Sequence, residues 1–331
     1  MLRIAVLGAG RIGRIHSTNV AAHPNAKLIA IADPVAAAVD PLAEALGAEA
    51  MNDPIAAIDR DDVDAIVIGT PSDNHADLLL HAVAKGKAVM CEKPIDAGME
   101  RSQAVVDDVK AKGGKVMMAF NRRFETSFAA IRKAIEAGEI GEVRQVIISS
   151  RDPGLPPEDY VKSSGGIFRD MTIHDLDMAR FMLGEEPVEV SATASRIVDE
   201  ALTAKYDDYD TVMVTLKTAS GKQCHINNCR EAVYGYDQRV EVFGATGMLQ
   251  HDNLRPTTVR RWTADITEAQ EPLLNFFLQR YAQAYASELD AFITALVEGK
   301  PLPTSVEDGL KALALAEAAI ESVRTGQTVR L

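Results

Sequence analysis

The chain has 331 residues, enough for two domains of ordinary size, and its 47% hydrophobic and 25% charged residues are those of a globular protein. The formal net charge of -13 argues against a nucleic-acid surface, which needs a basic footprint, and the local pair Arg122 and Arg123 is too small to reverse that. Three cysteines (Cys91, Cys224, Cys229) without CxxC spacing speak against a structural zinc site and fit a reducing cytoplasm, and no apolar run approaches the ~20 residues of a membrane-spanning helix.

The first segment, "LRIAVLG", is nearly all apolar, as expected of a parallel strand buried on both faces. It begins at once, so no leader peptide is expected. It runs into "GAGRIG", which spaces Gly8, Gly10 and Gly13 as GxGxxG around Arg11 and Ile12, ahead of the helix-like "RIHSTNVAA". The three glycines serve a tight turn, close backbone approach to a pyrophosphate, and close helix–strand packing. A second strand, "KLIAIAD", ends in Asp33, twenty residues beyond Gly13. A carboxylate there accepts hydrogen bonds from an adenosine ribose diol and repels a 2′-phosphate, so NAD is expected and NADP disfavoured.

"DAIVIGTP", a helix from about Asn74 to Ala84, "KAVMCEKP", a helix near Met99 to Ala111, and "KVMMAF" continue the alternation. Short connections between alternating strands and helices predict a doubly wound parallel sheet, the Rossmann arrangement of an α/β domain. Ligands bind beyond the carboxyl ends of such strands, which gathers Thr70, Pro71, Asn74, His75, Glu92, Lys93, Pro94 and Asn121 at one crevice. Lys93 in "CEKP" follows a buried strand directly. An ammonium in that place can donate to a substrate hydroxyl or carbonyl oxygen.

After about Phe120 the pattern changes, and the boundary is drawn there: 1–120 and 121–331. "FETSFAAIRKAIEAGEIG" reads as one helix ending near Gly138 or Gly141. "EVRQVIISSR", "VEVSATASRIV", "YDTVMVTLKT", "KQCHINNCR" and "QRVEVFG" read as strands, the third and fourth joined by the hairpin turn "TASGK". They predict an α+β domain with an open, mainly antiparallel sheet. "AYASELDAFITALVEG" and "SVEDGLKALALAEAAIESVRTG" are long amphipathic helices, with Thr304 or Ser305 as cap of the second.

"GGIFRDMTIHDLDMARFML", residues 165–183, reads as a helix with apolar Ile167, Met171, Leu176, Met178, Ala179, Met182 and Leu183 on one face. Asp170 and His174, four apart, stack on one side. A solvated pair is the ordinary meaning of that spacing. A metal site with Asp175 or Asp177 lacks a second histidine, so no metal is expected. As catalytic groups, His174 has the titration range of a general base and Asp170 can orient its ring. The preceding "DPGLPPEDYVKSSGG" is a surface loop or a substrate lid.

"GAGRIG", "TPSDNH", "EKP" and the DxxxH of residues 170–174 together resemble the glucose-fructose oxidoreductase / inositol dehydrogenase family over essentially the whole chain. "YGYDQRVEVFG" and "RYAQAY" are most similar to its inositol-oxidising branch. The resemblance implies an NAD-binding first domain and a second domain for substrate and oligomerisation, with a C-terminal helix packed back on the first. It implies that the Lys93–Pro94 bond is cis and that Lys93, Asp170 and His174 form the catalytic set. Tyr236 then contacts the polyol and Tyr281 lies near the nicotinamide. The implied reaction is NAD-dependent oxidation of a cyclitol secondary alcohol, myo-inositol to 2-keto-myo-inositol first, by a cytoplasmic homotetramer of inositol catabolism. Another inositol isomer, an aldose such as glucose, an NAD-dependent glycosidase and a non-catalytic NAD-sensing regulator are the alternatives. Whether His174 or Lys93 takes the proton stays open.

Overall fold

Continuous apolar runs build the first of two large sheets. The structure, a computed structural model, describes residues 1–331. It divides into two units: Met1–Phe124 with Gln283–Leu313, and Glu125–Ala282 with Ala314–Leu331.

The first unit alternates β1 (Leu2–Leu7), α1 (Arg11–Ala22), β2 (Ala26–Ala32), α2 (Ala36–Leu46), β3 (Glu49–Met51), α3 (Pro54–Ile58), β4 (Ala65–Ile68), α4 (His75–Ala84), β5 (Ala88–Glu92), α5 (Met99–Lys112) and β6 (Val116–Ala119). Every pairing is parallel, in the order β3-β2-β1-β4-β5-β6. All four residues of β4 and of β6 are buried, which is why these strands read as unbroken apolar runs. The strand order reverses between β1 and β4. There connections leave the sheet in opposite directions and open a crevice at the carboxyl ends.

The second unit holds α6 (Thr126–Glu136), β7 (Val143–Arg151), α7 (Glu158–Ser163), α8 (Ile173–Leu183), β8 (Pro187–Ser195), α9 (Glu200–Lys205), β9 (Thr211–Thr218), β10 (Gln223–Cys229), β11 (Asp237–Gly244), β12 (Met248–His251), the short ribbon β13 (Arg260–Arg261) with β14 (Ala269–Gln270), and α10 (Phe277–Arg280). The long helices α11 (Ala282–Glu298) and α12 (Val306–Thr325) and the strand β15 (Val329–Arg330) complete the chain. The large sheet runs β12-β11-β7-β10-β9-β8-β15 and is antiparallel except for the central pair β7–β10. β9 alternates buried Val212, Val214 and Leu216 with exposed Met213, Thr215 and Lys217, and α8 packs on β7 and β10. One face is therefore covered and the other open, as the period-two pattern predicts.

Within the first unit, Leu289, Phe292 and Ile293 of α11 join Ile4, Val6, Val20, Ile31 and Met90 in one buried cluster. α12 starts with a reciprocal cap: Asp308 N–H donates to Ser305 Oγ at 3.2 Å, and Ser305 N–H donates to Asp308 Oδ2 at 2.8 Å. Thr304, the other expected cap, instead donates its hydroxyl to the Met118 carbonyl.

Candidate active site

At the end of β1 the chain has room for nothing larger than glycine. Gly8 has φ +99°, and a Cβ on it would lie 2.5 Å from the Gly69 carbonyl oxygen. A Cβ on Gly13 would lie 1.9 Å from the Gly8 carbonyl oxygen, so α1 and β1 meet backbone to backbone. Gly10, the N-cap of α1, differs: it is exposed, no side chain caps the helix, and nothing lies within 4 Å of where its Cβ would stand. Exposed Arg11 and half-buried Ile12 follow. A bare helix N-terminus beside open space accepts an anion, because its first N–H groups and dipole point outward. Asp33 ties this turn to β2, its Oδ2 accepting from Ala9 N–H at 2.8 Å and its Oδ1 from Val35 N–H at 2.9 Å. Each oxygen keeps a lone pair for a sugar hydroxyl. These residues fit a dinucleotide with an unphosphorylated ribose.

The neighbouring strand ends carry the other expected cofactor residues. Thr70 is half-buried, Pro71 and Asn74 are exposed, and Asn121 is buried. His75 faces inward: Pro94 and Thr70 carbonyl oxygens lie 2.7 and 2.9 Å from its two ring nitrogens. It braces the two loops instead of presenting a ring nitrogen to a ligand. Glu92 closes β5 with its carboxylate 2.8 Å from His16 Nε2. Lys93 comes next, half-buried, and the Lys93–Pro94 bond is cis.

In the second unit, residues 165–183 are not one regular helix. Phe168–Thr172 form a π turn and α8 begins at Ile173, a feature frequent at functional sites. Gly166 enters it with φ +87°, and a Cβ there would lie 2.9 Å from Asp208 Oδ1, the oxygen that accepts from Ile167 N–H. The expected apolar face is buried, and Asp170 and His174 are both half-buried. Asp170 is held on both oxygens, by the Tyr160 hydroxyl at 2.8 Å and by Arg230 Nη2 at 3.1 Å. Arg230 also reaches Asp152 at 3.4 Å. Burial works against the Arg230 charge, but Asp170, Asp152 and Asp208 outweigh it and raise the guanidinium above its usual range. Tyr160 is 48% exposed overall, yet loss of water around its hydroxyl, then the Asp170 carboxylate, push the phenol up, so it remains a donor. Tyr160 lies on α7, inside the proline-rich segment before Gly165.

Tyr236 and Tyr281 are buried and meet edge to face with ring centroids 6.0 Å apart. The Tyr281 hydroxyl donates to Gln238 Oε1 at 3.1 Å. Asp175 accepts from Asn228 Nδ2 and Asp177 from Arg180, and no group of three or more His, Cys, Asp or Glu side chains is arranged to hold a metal ion. Sequence reasoning missed Tyr160, Arg230 and Asp152 around Asp170. The loop composition pointed at Tyr160; nothing in "NNCREA" pointed at Arg230.

Residues 2–120 match the family model described as "Oxidoreductase family, NAD-binding Rossmann fold", and residues 128–250 match the GFO/IDH/MocA C-terminal domain. The chain is 52% identical over 326 residues to an inositol 2-dehydrogenase of Rhizobium meliloti, covering 97% of both proteins. It belongs to the GFO/IDH/MocA oxidoreductase family. Among solved structures, this family member is similar to a myo-inositol dehydrogenase of Corynebacterium glutamicum (49% identity, TM-score 0.97, 100% of this chain and 99% of that one). It is also similar to the scyllo-inositol dehydrogenase of Lactobacillus casei solved with NAD(H) and scyllo-inositol (29% identity, TM-score 0.92, 100% and 99%). As an NAD-binding oxidoreductase, it has the glycine turn and Asp33 where the dinucleotide fit requires them.

Proposed function

We propose that this family member oxidises a ring hydroxyl of a cyclitol with NAD, and that its substrate is myo-inositol, converted to 2-keto-myo-inositol in inositol catabolism. The observation that carries the reading is the open glycine turn locked to Asp33, in a chain about half identical over its full length to inositol dehydrogenases. Bound NAD supplies the hydride acceptor. His174 takes the hydroxyl proton, and Asp170, anchored by Tyr160 and Arg230, orients the substrate and balances the imidazolium. Lys93 donates to the reacting oxygen and stabilises its developing negative charge. Tyr236 contacts the polyol, and Tyr281 lies near the nicotinamide. The cofactor set comprises Gly8, Gly10, Arg11, Ile12, Gly13, Asp33, Thr70, Pro71, Asn74, Glu92, Lys93 and Asn121, with His75 in the supporting role its ring contacts describe.

Initial rates with a panel of inositols and aldoses, each with NAD and NADP, test the reading. Fastest NADH formation on myo-inositol is expected, with NADP poor. Asp33→Ser removes charged hydrogen bonds, so it should raise KM for NAD about 10- to 100-fold. A purified protein that binds NADH but turns over no inositol or aldose would refute the assignment, as would a marked preference for NADP.

We place the NAD-binding domain at residues 1–120 and the substrate and assembly domain at 121–331, with Gln283–Leu313 of the latter packed back into the first unit, in a protein working in the cytoplasm with three unbridged cysteines. The protein acts as a homotetramer: Ile147, Met213, Phe243 and Met248 stand exposed on the open face of the large sheet. Large apolar side chains exposed on an uncovered sheet face suit an association surface. Light scattering should find a tetramer in the parent and a smaller species in Met213→Glu. A monomeric parent overturns the assembly.

A further inference from the structure

Glu288 is the carboxyl of the first unit that the proposed reaction leaves unused. It sits on α11 with 0% of its surface exposed, and neither oxygen has a hydrogen-bond partner. Burial, then the negative charge of Glu92, push its pKa well above the usual carboxylic range. An unpaired buried carboxylate is costly enough that the group keeps its proton instead. Tyr285, one turn earlier on α11, meets the His16 ring edge-on with centroids 5.8 Å apart. His16, on α1 behind the glycine turn, is itself fully buried. Its Nε2 lies 2.8 Å from Glu92 Oε1, while its Nδ1 is buried without a partner. A proton on Nδ1 would be an unsatisfied buried donor, so the geometry favours the tautomer that donates from Nε2 to Glu92.

Strand geometry explains why the cluster bears on chemistry. Glu92 shares a face of β5 with Met90, which packs against Leu289, Phe292 and Ile293 of α11 and Val20 of α1. The next residue, Lys93, leaves the strand at its carboxyl end, where alternation turns side chains away from that face. The titratable groups that these contacts bring to Glu288 are Glu92 on β5, His16 on α1 and Tyr285 on its own helix.

We infer that His16 and Glu288 are positioning residues that hold the Glu92 carboxylate at the end of β5 and thereby fix where Lys93, the next residue, leaves the strand for the reacting oxygen. A charge on Glu288 would repel Glu92. Loss of the His16 donor would remove the partner that holds Glu92 Oε1. The inference rests on the role given to Lys93 above.

The test compares the parent with His16→Leu, His16→Gln, Glu288→Gln and Lys93→Ala. In His16→Leu, kcat should fall about 10- to 100-fold with KM for NAD little changed. His16→Gln, which can still donate to Glu92, should restore most of the rate. Should His16→Leu fail to fold, His16→Asn, too short to reach Glu92, takes its place. For Glu288 the readout is stability against pH. A carboxyl protonated in the fold and ionised in the unfolded chain lowers stability as pH rises above the ordinary 4.5. The Tm advantage of Glu288→Gln over the parent should therefore grow with pH. A constant difference, or an unchanged kcat in His16→Leu while Lys93→Ala is inactive, overturns the inference. Continued inositol turnover by Lys93→Ala overturns instead the role given to Lys93.

Discussion

Replacing Lys93 or His174 by alanine is expected to lower kcat for NAD-dependent inositol oxidation by about 10²- to 10⁴-fold each, the range for loss of an acid–base group or of a donor to developing charge. NADH binding, followed by fluorescence, should change little, because the glycine turn and Asp33 are intact in both variants. The double variant should be scarcely worse than the poorer single one, since groups that act on one oxygen do not add. A His174→Ala enzyme that keeps most of its kcat would remove the histidine from the proton transfer and leave Lys93 as the base.

Arg230→Met should destabilise the protein by about 3 kcal/mol, since breaking a buried ion pair strands its partners. The Arg230 side chain is 5% exposed, and Asp170 and Asp152 are only 12% and 15% exposed. Without the guanidinium the two carboxylates lose a shared cation, and Asp170 loses its charged partner while keeping the hydrogen bond from Tyr160. Thermal unfolding should show the loss, larger at neutral than at acid pH, because protonating the aspartates relieves the repulsion. Tyr160→Phe removes one hydrogen bond and leaves the ion pair standing, so about 1 kcal/mol is expected there. Equal, small effects from the two substitutions would show that Arg230 is not what holds Asp170.

The parts that could be read from the sequence are those governed by local rules. β1, β4 and β6 are buried on both faces, so their apolar runs were unmistakable, and GxGxxG followed by Asp33 declared a dinucleotide turn before any contact was known. Asp170 and His174 were visible through their spacing. What escaped depends on contacts between residues far apart in the chain. Arg230 comes to Asp170 from the end of β10, sixty positions away, and an arginine after a strand carries no mark of its destination. The π turn at Phe168–Thr172 was hidden because its side-chain pattern over five residues is indistinguishable from an α-helical one. His75 stood in a cofactor-loop motif, but its ring went to the Thr70 and Pro94 carbonyls, whose hydrogen-bonding demand no sequence pattern announces.

The place of Leu289, Phe292 and Ile293 in the first unit's core has a consequence for the newborn chain. Domains made early in synthesis ordinarily fold while the ribosome is still working on the rest. Here the six parallel strands emerge first, yet one face of their sheet waits for α11, which follows the whole of Glu125–Ala282. Until then Ile4, Val6 and Met90 have Val20 of α1 and Val39 and Leu42 of α2 in their cluster, but not the aromatic and aliphatic side chains of α11 that complete it. The second unit is completed later still, because Ala314–Leu331, with β15 paired to β8 at the edge of its sheet, are made after α11, so neither unit closes until the last helix has emerged.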